Sequence, residues 1–185
     1  MRHLLADLRD PGTGSLSPRM AFLLGDMRTR WDELGRRIAA FDAEFSAMAR
    51  TDERARRLTS IPGIGALNAT ALVAAVGNAA TFTKGCDLAA WLGLVPRQAT
   101  TGGKPKLLGI TKRGSRYLRK MLIQDARSAM PTLAKADTAI GAWLRALRVR
   151  THPNVAVVAL AAKMARTVWA LRHGRNYEAV PQAAG

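Results

Sequence analysis

Cysteine and histidine are scarce in this sequence. The 185 residues include one cysteine, Cys86, and three histidines at separate places along the chain. A single cysteine excludes an internal disulfide bond, and three scattered histidines do not have the spacing of a zinc site. Aromatic residues make up only 5% of the chain, but 48% of the residues are apolar. That share is enough to build a core, so the composition predicts a folded chain and not a disordered one.

Acidic residues are also few. Lysine and arginine number 29 against 13 aspartate and glutamate residues, so the formal net charge is +16. An excess of this size favours a polyanionic partner, with nucleic acid as the first candidate and a membrane surface as the second. No uninterrupted apolar run reaches the roughly 18 residues of a membrane-spanning helix, and residues 1–10 lack a signal-peptide core. We therefore expect a bacterial-type cytoplasmic, nucleoid-associated protein with no membrane partner.

The clearest periodicity lies in residues 18–50. Apolar residues recur there at alternating intervals of three and four, as at the a and d positions of a coiled coil. They are Leu24, Met27, Trp31, Leu34, Ile38, Phe41, Phe45 and Met48. The pattern predicts a coiled-coil-type helix that self-associates or pairs as an antiparallel hairpin; the alternative is a core helix packed on its own domain.

The rest of the chain predicts an all-α fold, in which the long helix is followed by a helical domain. Residues 1–17 are interpreted as a remnant or linker, residues 51–174 as the helical domain, and residues 175–185 as a flexible tail. Within the domain, residues 97–114 predict a polar, glycine-rich loop. Only Leu107 to Ile110 suggest an extended conformation there.

The segment from Ser60 to Ala69 carries the strongest local motif. Two glycines, Gly63 and Gly65, flank Ile64 between two predicted helices, which is the pattern of a helix–hairpin–helix. In such a turn the backbone N–H groups at the start of the second helix can hold a phosphate without reading sequence. We therefore assign Gly63, Ile64 and Gly65 to DNA contact; the alternative is a plain corner whose glycines serve only packing.

A second candidate site is strongly basic. Between Arg97 and Arg127 there are nine lysines and arginines and a single acid, Asp125. A solvated face is usually of mixed sign, so this bias favours contact with phosphates over a merely solvated cationic face. We expect Arg116, Arg119, Lys120 and Arg127 to form a basic stripe on one helix. The residues assigned to DNA contact are Arg97, Lys104, Lys106, Lys112, Arg113, Arg116 and Arg119.

Acids with the spacing of a nuclease site are missing. A two-metal site needs several converging carboxylates, and after Glu53 only four dispersed acids remain, namely Asp87, Asp125, Asp137 and Glu178. We therefore predict no metal and no cofactor in this chain. A hydroxyl can still attack a phosphodiester that cations hold in place, which makes Thr100 and Thr101 candidate nucleophiles. Threonine in a glycine-rich loop is more often a turn residue.

Three blocks within residues 55–170 together resemble one family. The first runs from Leu58 to Gly65, the second from Leu88 to Gln98, and the third from Gly102 to Arg119. Each block is ordinary alone, but their order and spacing resemble the C-terminal domain of the DEDD insertion-sequence transposases, a group that includes the Piv-type invertases. The resemblance implies a recombinase that excises and inserts its own element.

The same resemblance implies a division of labour. In that family an N-terminal RuvC-like domain binds Mg²⁺ through its carboxylates, a coiled-coil-type helix follows, and the C-terminal domain holds DNA and supplies a serine nucleophile. Mg²⁺ is thus expected only with the N-terminal domain. The implied partners are DNA, in some members a guide RNA, and further copies, either of this chain or of a full-length transposase.

The sequence departs from the family at two points. We interpret the sequence as a truncated copy without the RuvC-like domain, and Thr100-Thr101-Gly102 stands where the serine is expected. Threonine keeps the hydroxyl, but its methyl group crowds the attack. We expect DNA binding without autonomous strand transfer. The alternatives are a stand-alone architectural DNA- or RNA-binding protein and a complete enzyme with a threonine nucleophile.

Overall fold

The structure, a computed structural model, describes residues 17–77, 81–172 and 177. Within these ranges the chain forms seven helices and one two-stranded sheet. They are α1 (Pro18–Thr51), α2 (Glu53–Thr59), α3 (Ala66–Val76), α4 (Gly85–Trp91), β1 (Pro96–Thr101), β2 (Lys104–Ile110), α5 (Arg116–Lys135), α6 (Ala139–Arg150) and α7 (Pro153–Arg172). The predicted, mainly helical fold is confirmed. The predicted remnant, apart from Ser17, and the predicted tail, apart from Tyr177, lie outside the described residues.

Helix α1 is 34 residues long. Pro18 occupies its first position, where a missing N–H costs no intrahelical bond, and Ser17 Oγ accepts a hydrogen bond from the Met20 N–H at 3.3 Å. Much of the heptad pattern is exposed, with Met27 at 66%, Trp31 at 64% and Ile38 at 60% of full accessibility. The core-helix alternative therefore does not describe this part of α1. The chain divides into two compact units, one ending at Ala43 and the other beginning at Glu44.

The hydrophobic core of the second unit is centred on α7. Its buried residues are Ala156, Val157, Leu160, Ala161, Met164, Ala165, Val168 and Leu171, and α2, α4, α5 and α6 pack against it. Each fully buried leucine or valine contributes roughly 1.5–3 kcal/mol relative to an exposed one. Among the described residues, α7 is also the one helix whose length and mean hydropathy would suit a membrane span. Its place in the core accounts for that hydropathy.

The segment 97–114, predicted to be a polar, glycine-rich loop, instead contains most of a β-hairpin. Strand β1 pairs antiparallel with β2, with Thr101 opposite Lys104. Gly102 and Gly103 connect the strands with φ angles of +59° and +76°, the combination that a tight hairpin turn of type I′ requires. Side chains described between Arg97 and Gly109 are exposed. The hairpin therefore has no buried face, and its sequence shows no apolar alternation.

Candidate nucleic-acid interface

The turn between α2 and α3 is packed against α5. Gly63 has a φ of +96°, which suits glycine and strains other residues. A Cβ atom at this position would lie 2.7 Å from the Cβ of Ala129 and 2.8 Å from the carbonyl oxygen of Asp125. Ile64 is only 4% exposed. Packing alone therefore explains why glycine stands at position 63 and isoleucine at 64.

Gly65 is in a different situation. Its backbone is extended (φ −84°, ψ 173°), a conformation open to any residue, and a Cβ there would meet nothing within 4 Å. Gly65 is the N-cap of α3, and no side chain caps this end of the 11-residue helix. First-turn N–H groups carry partial positive charge and attract anions. The fold does not require glycine at 65, and its absent side chain leaves room for a phosphate to approach.

A buried polar pair ties α3 to α5. Asn68 is 1% exposed, and its Nδ2 donates a hydrogen bond to the Asp125 carboxylate. Burial raises the pKa of the Asp125 carboxyl, while the hydrogen bond from Asn68 acts in the opposite direction. The single acid of the basic segment is therefore half-buried and engaged with the helix that follows the glycine turn.

Arg119 is not on the exposed face of α5, so the prediction that it joins a basic stripe is wrong. The residue is 9% exposed. Its Nη1 donates hydrogen bonds to the carbonyl oxygens of Leu92 at 3.1 Å and Arg113 at 3.0 Å. A guanidinium offers several fixed donors and can hold two carbonyls at once. Arg119 thus fastens the loop before α5 to the end of α4.

The other predicted basic residues are exposed. Arg116, Lys120 and Arg127 are spaced i, i+4 and i+11, which places them within about 40° on one face of α5. Lys104 and Lys106, two residues apart on β2, share one face of the hairpin. We call the following set the basic surface: Arg97, Lys104, Lys106, Lys112, Arg113, Arg116, Lys120 and Arg127. The ion pairs found among the described residues lie in α1 and around α2, and none neutralises this surface.

The glycine turn and the basic stripe lie on opposite sides of α5. Asp125 and Ala129, which face Gly63, are about 160° around the helix from the centre of the stripe. The sequence assigned both features to DNA contact without showing how they are placed relative to each other. The structure instead separates two candidate contacts, the start of α3 on one side and the basic surface on the other.

The candidate nucleophiles lie near the tip of the hairpin. Thr100 is exposed and pairs across the ladder with Pro105, and the Cα of Thr101 is opposite that of Lys104. Among the described residues no group of three or more histidines, cysteines and acids is arranged to hold a metal ion. The roles of Thr100 and Thr101 stay predictions.

Comparison with known proteins now identifies the class. Residues 55–139 match the model of the Transposase IS116/IS110/IS902 family, a stretch that contains the glycine turn, the hairpin and all of α5. This chain is therefore related to the transposases of insertion sequences. Its residues 55–139 carry the domain of the IS116/IS110/IS902 family, and the resemblance carried by the three sequence blocks is confirmed.

Three relatives give the extent of the similarity. The chain is 43% identical to a probable family 20 transposase of Pseudomonas aeruginosa, in an alignment covering 82% of this chain and 45% of the relative. It is 37% identical to the transposase for insertion sequence element IS1328 of Yersinia enterocolitica (86% and 48%). It is 40% identical to the transposase for IS1111A of Coxiella burnetii (84% and 43%). The chain thus spans a little under half the length of these relatives.

Proposed function

We propose that this chain is the DNA-holding, C-terminal part of an insertion-sequence transposase, with the basic surface as its main contact to DNA phosphates. The carrying observation is the exposure of eight cationic side chains on a segment with a single, half-buried acid. A solvated protein face normally mixes both signs of charge, whereas phosphate contact requires one. The membership in a transposase family supports DNA as the polyanion.

The test is duplex binding by paired charge variants over about 50–300 mM salt. We expect Lys104→Ala/Lys106→Ala to weaken binding and to reduce the salt slope by about 2, because each phosphate contact contributes about 0.9 released counterion. The matched control is Arg148→Ala/Arg150→Ala, which removes the same charge from exposed positions at the end of α6. Equal losses in both variants would show that net charge alone attracts DNA and would refute a defined basic surface.

We propose further that the chain does not carry out strand transfer by itself. The support is the resemblance, which assigns the Mg²⁺-binding carboxylates to a separate N-terminal domain. The enzyme alternative predicts a covalent protein–DNA adduct that Thr100→Ala or Thr101→Ala abolishes. Detection of such an adduct with the purified chain and Mg²⁺ would overturn this part of the proposal.

Self-association through α1 completes the proposed function. Its support is the exposed apolar face, on which Met27, Trp31, Leu34 and Ile38 are all more than half exposed, an unusual cost unless a partner covers it. A full-length relative is a second possible partner, and a mixed oligomer would lower transposition frequency on co-expression. An unchanged frequency would count against mixed oligomers. We place the protein in the bacterial cytoplasm at the nucleoid.

The second candidate function is a stand-alone architectural nucleic-acid-binding protein, which the basic surface alone would equally suit. The gene's surroundings distinguish the two. A reading frame directly upstream that encodes a domain with four spaced acids supports the transposase; an unrelated upstream gene with its own terminator supports the architectural protein. Competition of duplex DNA with RNA of equal length then shows whether a guide RNA is a plausible partner.

A further inference from the structure

We infer that α1 pairs with α1 of a second copy of this chain in antiparallel orientation. The inference rests on the self-association proposed above and adds its orientation and register. The apolar seam supplies the driving force, because Met27, Trp31, Leu34 and Ile38 are 54–66% exposed in the single chain. An apolar seam alone does not choose between parallel and antiparallel pairing. The flanking charges do.

Those charges are segregated along the helix. If Leu24 is an a position, the seam alternates a and d through Met48, and the e and g positions beside it follow from the heptad. In the first half they hold Arg28 and Arg30, next to the midpoint they hold Arg37, and in the second half they hold Asp42 and Glu44. The edge of α1 is thus basic towards its N-terminus and acidic towards its C-terminus.

Antiparallel pairing places unlike halves side by side. Residues whose numbers add to 72 then share a core layer, so Leu24 meets Met48 of the second copy and Leu34 meets its Ile38. This register fills all eight seam positions. At the edges Arg28 faces Asp42 of the second copy and Arg30 faces its Glu44, and symmetry makes each pair twice. The one unfavourable contact is Arg37 with its own counterpart near the axis.

Parallel pairing gives fewer favourable contacts between these charged residues. A g residue then faces the e residue five positions later on the second copy, which pairs Arg37 with Asp42 but leaves Arg30 beside Gly35. The basic edge positions would also lie at the same end of the dimer, as would the acidic edge positions. In the antiparallel register Gly35 instead meets Gly35 at the axis, and a Cβ there has nothing within 4 Å in the single chain. Two glycines at the axis let the helices approach closely.

The intrahelical ion pairs are compatible with this arrangement. Arg30 is 3.2 Å from Asp26 and Arg28 is 3.9 Å from Asp32, yet the arginine side chains remain 74% and 40% exposed. Both guanidiniums therefore keep donors for a second carboxylate. The antiparallel dimer would extend each pair into a three-residue network across the interface.

Disulfide trapping tests orientation directly. Leu34→Cys and Ile38→Cys are made as two separate chains in a Cys86→Ser background and carry tags of different mass. Each chain is oxidised alone, and a mixture of the two is oxidised as a third sample. Antiparallel pairing predicts that the mixture forms mostly heterodimeric disulfide and that each chain alone forms little disulfide. The reason is that position 34 of one copy shares a core layer with position 38 of the other. Homodisulfides in each separate sample would overturn the orientation while leaving self-association intact. A monomeric mass by sedimentation equilibrium, with no disulfide in any sample, would overturn self-association itself.

Charge reversal provides an independent readout. Arg28→Glu/Arg30→Glu and Asp42→Arg/Glu44→Arg should each weaken the dimer about tenfold or more at low salt, since all four cross-pairs become repulsive. Mixing the two variants restores opposite charges at all four sites only if the helices are antiparallel. Recovery of wild-type affinity in the mixture is the expected result, and it would not follow if a variant merely destabilised its own helix. Failure to recover would overturn the register.

Discussion

At the scale of single residues, two glycines separated by one position have different reasons to be glycine. Position 63 does not accept a residue with a side chain, because its φ is +96° and the backbone of α5 lies where a Cβ atom would be. Gly65 has ordinary extended backbone and open space around it. The sequence motif gave both the same assignment, because spacing alone does not show which glycine faces a neighbour. Substitution separates the two roles.

Gly63→Val should lower the free energy of unfolding by about 2–4 kcal/mol, from overpacking against Ala129 together with backbone strain. Gly65→Val should cost only about 0.5–1 kcal/mol, as a poor N-cap residue, yet it should weaken duplex binding in the folded protein. Urea denaturation and binding titrations on the same samples give both quantities. If Gly65→Val binds DNA as tightly as the unchanged chain, the start of α3 is not a phosphate contact.

Asp125 predicts a pH dependence of stability. Burial raises its pKa above the usual value near 3.8, so the folded chain holds this proton more tightly than the unfolded chain. The stability it contributes is present below about pH 4 and is lost as the pH rises through the raised pKa. Relative to wild type, Asp125→Asn should therefore gain free energy of unfolding from about pH 4 to 7. A difference that does not change with pH would contradict the raised pKa.

At the scale of elements, the sequence indicated a helix or its start where a single local feature, such as a heptad pattern or a capping residue, determines the structure. The heptad pattern predicted α1, and Asp52 begins α2 as a cap whose carboxylate accepts the Arg54 N–H at 2.8 Å. Helix α5 continues to Lys135 with Pro131 inside it, although a proline in a helix interior removes a backbone hydrogen bond. Buried Leu133 and Ala134 offset the missing hydrogen bond. Tertiary packing, which the sequence does not display locally, decided that boundary.

The hairpin and Arg119 escaped sequence reasoning for related causes. Strands are found by apolar alternation, and a hairpin exposed on both faces has none; the only available signal was the Gly102-Gly103 pair, which suits a two-residue turn. Arg119 was counted with its charged neighbours because arginine is rarely buried. Its carbonyl partners lie on Leu92 and Arg113, and the contact with Leu92 spans 27 positions.

Arg119→Lys tests whether this residue joins elements or holds phosphate. Lysine keeps the charge, but its side chain differs in length and shape and does not place a nitrogen where Nη1 contacts both carbonyls, so we expect a loss of about 1.5–3 kcal/mol in the free energy of unfolding. The salt slope of DNA binding should stay unchanged in the folded variant. A stable variant with a reduced slope would return Arg119 to the phosphate contacts.

At the scale of the whole molecule, charge and exposed surface are distributed unevenly. The chain carries a net charge of +16, and about half of that excess is concentrated in the hairpin, the following loop and one face of α5. The apolar core lies around α7, and a separate apolar face is exposed on α1. This distribution supports one surface for DNA and another for a second copy.

The most direct measurement of the central claim is the affinity of the purified chain for a labelled duplex as a function of salt. Eight exposed cations do not all reach phosphates at once, so a slope of log K against log salt of about −4 to −7 is expected. Binding in the micromolar range or tighter at about 50 mM salt should accompany it. A folded chain that shows no duplex binding at that salt would contradict the claim that this part of the transposase holds DNA.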